Sequence, residues 1–276
     1  EVRLNVLKDK VDKFIVTEST YSHSGKKKKL NFDINNYPKF KDKIRYIVID
    51  KEPEGIVDEN NNPAIQRDNS LKRIELSYNE NLKELKDVHD DDFILLSDND
   101  EIPNLNSEGF KKNKDDIIIF NQLFFYFKFN LLYDKMLWPG TKGCRKKKLK
   151  SLSWLKNLKF KKYPFWRLDT LFSEKKYINI NIINNGGWHF TNLLSPEDMF
   201  EKFMNFGHHN EFRLSGITIE KIREKIKNRE MFYNHSADKT VKNKWESNHK
   251  LKKIDLNLLP DYLTKNSKKY SKWFDL

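Results

Sequence analysis

The sequence predicts an α/β fold, a Rossmann-like mixed sheet flanked by helices in a single domain, and three observations carry that prediction. Short apolar runs at Phe14-Ile15-Val16, at 44–49 and at Phe93-Ile94-Leu95-Leu96 have the length and branched content of buried strands. The segments between them carry helical spacing or turn residues, so crossovers join the strands and a parallel arrangement follows. The 276 residues contain no internal repeat and no long low-complexity linker, which suits one continuous domain.

Taken in order, Leu4, Leu7 and Val11 repeat at helical spacing ahead of the first strand. Residues 22–29 are a polar loop with Gly25 and four consecutive lysines, and the second strand, 44–49, ends on Asp50. Pro, Gly and consecutive Asn residues make 53–63 a loop, after which Pro63 suits the start of a helix over 64–76, with a shorter one over 82–88. The third strand delivers Asp98 and Asp100 to the carboxyl end of the sheet, where ligands of parallel sheets bind. From Asp116 the character changes. Residues 117–129 form a long aromatic strand or a pair, 177–190 hold two strand-like runs around Asn184-Asn185-Gly186-Gly187, and this half is expected to be more antiparallel. Residues 196–206 and 218–227 read as amphipathic helices, and 258–274 contains one more.

Hydrophobic residues make up only 37% of the chain, but 20 Phe, 11 Tyr and 6 Trp concentrate apolar area in large rings, so a sizeable core is expected. The net charge of +13 favours anionic partners: nucleic acid, an anionic membrane or a phosphate-bearing small molecule. A composition rich in Lys, Asn and Ile is equally what an AT-rich genome produces. Cys144 is the sole cysteine, which excludes an intrachain disulfide and a cysteine-based zinc site and fits a reducing compartment. No apolar run approaches the roughly 20 residues of a membrane helix.

Two carboxylates two positions apart at a strand end, Asp98 and Asp100, can share one hard cation, Mg²⁺ or Mn²⁺, with phosphate oxygens. Such an ion would neutralise a diphosphate leaving group, which makes a sugar nucleotide the natural donor. Asp-x-Asp by itself is common in solvated turns. Here it follows a fully apolar strand and continues into Glu101-Ile102-Pro103, unlike the open acidic run Asp90-Asp91-Asp92 before that strand.

Ser97-Asp98-Asn99-Asp100-Glu101-Ile102-Pro103, with Gly187-Trp188-His189-Phe190, resembles glycosyltransferase family 17, which includes the enzyme that adds bisecting GlcNAc to N-glycans. Further segments fall in family order: Glu1-Val2-Arg3-Leu4-Asn5, Val16-Thr17-Glu18-Ser19, Gly25-Lys26 with Lys28, Gln66-Arg67, Pro139-Gly140-Thr141, Ser195-Pro196-Glu197 and His209-Asn210-Glu211-Phe212. The resemblance implies a GT-A fold, with residues 1–104 as the donor-nucleotide half and 105–276 as the acceptor half. It implies inverting transfer from a UDP-sugar, UDP-GlcNAc first, onto a glycan acceptor. By position, Asp98 and Asp100 would serve the metal and the donor diphosphate, and His189 would ligate the metal or touch the diphosphate. Glu18, Lys28, Gln66, Arg67 and Trp188 fall on the donor side. Lysines 26–29 are either a solvated basic loop or a phosphate clamp. The proton acceptor such a transfer needs has three candidates, Glu211 first, then Asp169 and Glu101. The rings of Phe124-Phe125-Tyr126-Phe127 and Trp138 either line an acceptor site or fill the core. Relatives carry an extra strand before the Glu1-Val2-Arg3-Leu4 helix, and this chain starts inside that pattern.

Three rival readings use the same residues: a nucleic-acid-binding protein, a metal nuclease built on Asp98 and Asp100, and sugar transfer onto a nucleic-acid base. The single cysteine and the absence of an apolar anchor point to a bacterial or viral enzyme in the cytoplasm. A Golgi-lumen location is the alternative if an anchor was removed.

Overall fold

The computed structural model describes residues 1–57, 62–235 and 244–275. Helix α1 (Val2–Leu7) buries Leu4 and Leu7 and leads into strand β1 (Phe14–Ser19), which pairs parallel with β2 (Ile44–Ile49), Phe14 opposite Ile44. Helix α2 (Pro63–Asn79) begins where the Asn62 side chain accepts from Ala64 N at 2.9 Å, with Pro63 in the first turn. Its buried face is polar: Gln66, Asn69, Ser70 and Arg73 form a stripe at helical spacing. Then follow β3 (Phe93–Leu96), β4 (Glu101–Pro103), α3 (Glu108–Lys111), β5 (Ile117–Tyr126), β6 (Leu131–Leu132), β7 (Trp138–Arg145) and α4 (Leu152–Asn157). The last third contains β8 (Asn181–Ile183), β9 (Gly187–Thr191), α5 (Pro196–Asn205), α6 (His209–Ser215), α7 (Ile219–Lys227), β10 (Lys252–Lys253) and α8 (Asp261–Lys265).

Strand β5 is the spine. Its first half pairs antiparallel with β7 on one edge and parallel with β8 on the other; its second half pairs antiparallel with β6 and parallel with β9. Strand β4 then adds antiparallel to β9. The rings of Phe124, Phe125 and Phe127 are fully buried, so that aromatic run is core, and Phe127 at φ +67° turns the chain out of the strand.

Two expectations need correcting. Parallel pairing of the first three strands holds for β1 and β2, but β3 pairs antiparallel with β7, where the Arg145 guanidinium covers the Phe93 ring at 4.8 Å and ion-pairs with Asp116. No ladder joins β1 to β3 among the described residues, although Phe14 and Val16 share one apolar layer with Phe93 and Leu95. The second half is more antiparallel than the first, with β6, β7 and β10 in antiparallel ladders, although β8 and β9 run parallel to β5. The helix expected over 82–88 is a 3₁₀ segment, Glu80–Leu85. Part of the 53–63 loop lies outside the described residues.

Three apolar clusters support this sheet. One lies between α1, β1, β2 and the C-terminal segment, one under α5, α6 and α7, and one between β3, β7 and α4. Among the described residues no helix is long and apolar enough to cross a membrane.

Candidate active site

The chain leaves β3 at Ser97 and turns into β4 over residues 97–100. The turn is closed twice: Glu101 N donates to Asp98 O at 3.1 Å, and Asp98 N donates to Glu101 Oε2 at 3.0 Å. Trp138 Nε1 donates to Glu101 Oε1 at 3.0 Å, and the Ser97 hydroxyl meets that of Thr141 at 2.7 Å. Glu101 is therefore buried with both oxygens engaged, and burial, reinforced by Asp98, pushes its pKa up. It braces the turn that carries its neighbours.

Register does the rest. Glu101 faces His189 across β4 and β9, and His189 Nε2 lies 3.2 Å from Asp100 Oδ2. Phe190 N donates to Asp100 O at 2.8 Å. Burial opposes charge on Asp100, but His189, with Lys202 farther off, outweighs it and lowers the pKa to about 2. The His189 ring is stacked on Phe124 (centroids 4.9 Å apart) and leans on Trp138 (4.5 Å), and its buried Nδ1 has no hydrogen-bond partner among the described residues. Gly187 permits this close strand pairing. Its φ is +114°, and a Cβ there would stand 2.2 Å from Ile102 O.

Asp98 meets a different wall. Lys156 Nζ sits 2.8 Å from its Oδ2, Tyr78 OH donates to Oδ1 at 3.3 Å, and Arg3 Nη1 donates to its carbonyl at 3.0 Å. Buried Lys142 sets the position of Lys156 by donating to the carbonyls of Lys156 (2.5 Å) and Leu158 (2.7 Å) at the end of α4. Burial, then the charge of Lys156, lowers the Lys142 pKa to about 8.

Beside this acidic end lies a basic recess of about 420 Å³, lined by Ser24, Gly25, Arg73, Asn205, His209 and Arg213 among others. Arg73 is its buried floor, donating to Glu52 Oε2 at 2.7 Å and His23 O at 3.1 Å. The loop over it is a fixed turn: Ser22 N donates to Lys26 O and Lys28 N to Thr20 O, both at 2.8 Å. Gly25 sits at φ +87°, and a Cβ there would strike the Arg73 guanidinium at 2.5 Å. His23 joins the two regions, standing in the field of Asp98 on one side and of Arg67, Arg73 and Lys28 on the other.

Among the described residues no three His, Cys, Asp or Glu side chains gather as a metal cage. The gathered pair is Asp100 and His189. A half-buried carboxylate held ionised, with an imidazole nitrogen beside it, fits a hard or borderline cation that takes its remaining ligands from phosphate and water. Asp98 is committed to Lys156 and Tyr78 instead.

The other residues singled out from the sequence are dispersed. Glu18 accepts from Lys28 Nζ (2.6 Å), Asn31 N (2.8 Å), Phe32 N (3.0 Å) and Tyr46 OH (3.0 Å), so Glu18 and Lys28 together pin a loop onto β1 and β2. Burial works against the Glu18 charge, yet these donors hold its pKa below the ordinary range. Gln66 is buried on α2, and Arg67 reaches Gly207 O at 2.5 Å. Trp188 alternates with His189 onto the opposite face and donates to Leu258 O at 2.7 Å, away from Asp100. Asp169 lies in a surface loop, clamped by Arg167 (2.7 and 2.8 Å) and Lys176 (2.6 Å). Glu211 is solvent-facing on α6, 2.8 Å from His208 Nδ1.

Sequence reasoning missed Tyr78, Lys142 and Lys156, which stand in no motif, and gave no role to Arg3 although it lies in the family-like segment Glu1-Val2-Arg3-Leu4-Asn5. It could have found Arg73: a polar stripe at positions 66, 69, 70 and 73 of a helix is a face turned toward charge rather than core.

No curated protein and no solved structure matches the chain. The model for glycosyltransferase family 17 matches residues 1–274, essentially the whole chain, and spans the acidic turn, the His189 strand and the basic recess alike. The chain belongs to glycosyltransferase family 17 and is a glycosyltransferase.

Proposed function

We propose that this glycosyltransferase has a GT-A fold and transfers a sugar, GlcNAc first, from a UDP donor to a glycan hydroxyl with inversion. The observation that carries the reading is the half-buried Asp100 carboxylate, held ionised 3.2 Å from the His189 imidazole, in a chain that also offers a basic recess, because a carboxylate–imidazole pair suits a metal that bridges to a diphosphate. A bound Mn²⁺ or Mg²⁺ would supply Lewis-acid stabilisation of the departing diphosphate, with Asp100 and His189 as its protein ligands. Exposed Arg213 at the recess offers a forked donor to phosphate oxygens above the charge of buried Arg73, and Lys156 neutralises Asp98 so that the acidic end does not repel them.

Glu101 braces the turn and Asp169 braces a loop, which leaves Glu211 as the proton acceptor of choice. Its carboxylate acts electrostatically on Tyr233, whose ring packs on His235 at 4.8 Å; His235 in turn stands against Phe124, the ring under His189. Glu211 stands on α6, the helix that also supplies His209 and Arg213 to the basic recess. The family match gives the +13 charge no role of its own as a nucleic-acid surface, and neither the nuclease nor the base-glycosylation reading draws support from the site.

Hydrolysis of a panel of UDP-, GDP- and CMP-sugars with and without Mn²⁺ tests this reading. UDP-GlcNAc turnover should require the ion, and Asp100→Ala should lower it by about 10²–10³. No turnover of any nucleotide sugar, or an unaffected Asp100→Ala, would overturn it.

A further inference from the structure

Residues 159–176 leave the end of α4 as a loop whose neck is tied by Lys159 N donating to Lys175 O at 2.9 Å. Inside the loop, Tyr163 is buried under three cations, with Lys161, Arg167 and Lys176 at 5.6, 5.7 and 5.8 Å from its ring, and Asp169 clamps Arg167 and Lys176 together. This scaffold turns its large apolar side chains outward: Phe165 is 79% exposed, Trp166 67%, Leu168 69%, Leu171 73% and Phe172 89%. Isolated exposed rings are ordinary, but five apolar side chains within eight residues make a patch of the kind that marks an interaction surface.

The charges around the patch identify its partner. Residues 159–176 hold six basic side chains (Lys159, Lys161, Lys162, Arg167, Lys175 and Lys176) against two acidic ones, Asp169 and Glu174. A second copy would bring like charges together, which disfavours self-association. Trp and Phe interleaved with Lys and Arg on a protruding tip match the bilayer interface, where rings enter the headgroup region and cations meet anionic lipid. We propose that this loop docks the protein peripherally on an anionic membrane surface. Lys156, on the helix from which the loop springs, contacts Asp98, so docking sets the acidic turn close to the lipid surface. A lipid-borne acceptor would then arrive beside it; that consequence, unlike the docking itself, rests on the proposed function.

Cosedimentation with vesicles of phosphatidylcholine and phosphatidylserine tests the docking, beside vesicles of phosphatidylcholine alone. Wild type should pellet with the anionic vesicles and be released by salt, and the triple variant Phe165→Ser, Trp166→Ser, Phe172→Ser should bind at least about tenfold more weakly. Because these side chains are exposed, the variant should melt with wild type, which separates lost docking from lost folding. Wild type remaining in the supernatant with anionic vesicles overturns the proposal, as does a triple variant that pellets like wild type. Loss of transfer to a soluble glycan by the triple variant, with no vesicle binding by wild type, would assign the rings to the acceptor and equally overturn it.

Discussion

Asp100 and Glu101 are neighbours in sequence, yet their surroundings drive them in opposite directions. Burial raises Glu101, beside the charge of Asp98, while His189 holds Asp100 ionised down to about 2. For Asp100 the unfolded chain binds the proton more tightly than the folded one, so its contribution is complete above about pH 4 and is lost as pH falls toward 2. Glu101 works with the other sign: its contribution is complete below the ordinary carboxylate value and is lost as pH rises through the raised one. Urea unfolding of wild type and Asp100→Asn should differ by about 2 kcal/mol near neutral pH, and the gap should close on acidification below about pH 4. A gap that stays constant with pH would mean that Asp100 is not held by His189. At this scale the sequence was partly legible. Asp100 and His189 lie side by side, but Asp98 pairs with Lys156, Glu101 braces the turn, and Glu18 and Lys28 spend their charges on each other and on loop backbone. No motif distinguishes a carboxylate that faces a ligand from one that braces a turn.

At the scale of elements, apolar runs revealed where most strands lie because burial is written into each run locally. Which strands pair was not legible, since ladders join residues far apart in sequence: β3 meets β7 across the intervening β4 and β5. The exception is Gly187, where a local residue choice reports a tertiary contact. Adding a Cβ would force it against Ile102 O in a left-handed backbone, so Gly187→Ala should part β4 from β9 at a cost of about 3 kcal/mol or more. Thermal melting should register that loss, together with loss of metal-dependent activity, as His189 leaves Asp100. A variant that melts like wild type would show that the pairing tolerates the added atom. Helix α4 illustrates the opposite case. Its amphipathic pattern says nothing of Lys142, a residue of another strand that caps its carbonyls and so aims Lys156 at Asp98.

At the scale of the whole molecule, the charges of an acidic turn and of a basic recess both reach His23, and each is partly neutralised, Asp98 by Lys156 and Arg73 by Glu52. Such a pair of opposed fields suits a ligand that is itself divided, a cation on one side and phosphates on the other. A chain this basic would bind polyanions loosely through any lysine-rich face, whereas under the proposed function the acidic turn would make phosphate affinity depend on a metal. The central claim is therefore that diphosphate and divalent ion bind together at Asp100. Calorimetric titration of UDP into the protein, with and without Mn²⁺, tests it most directly when wild type is set beside Asp100→Asn. Binding to wild type that requires Mn²⁺ and weakens about tenfold or more in Asp100→Asn is the predicted result. UDP binding that is indifferent to both the metal and the substitution would contradict it.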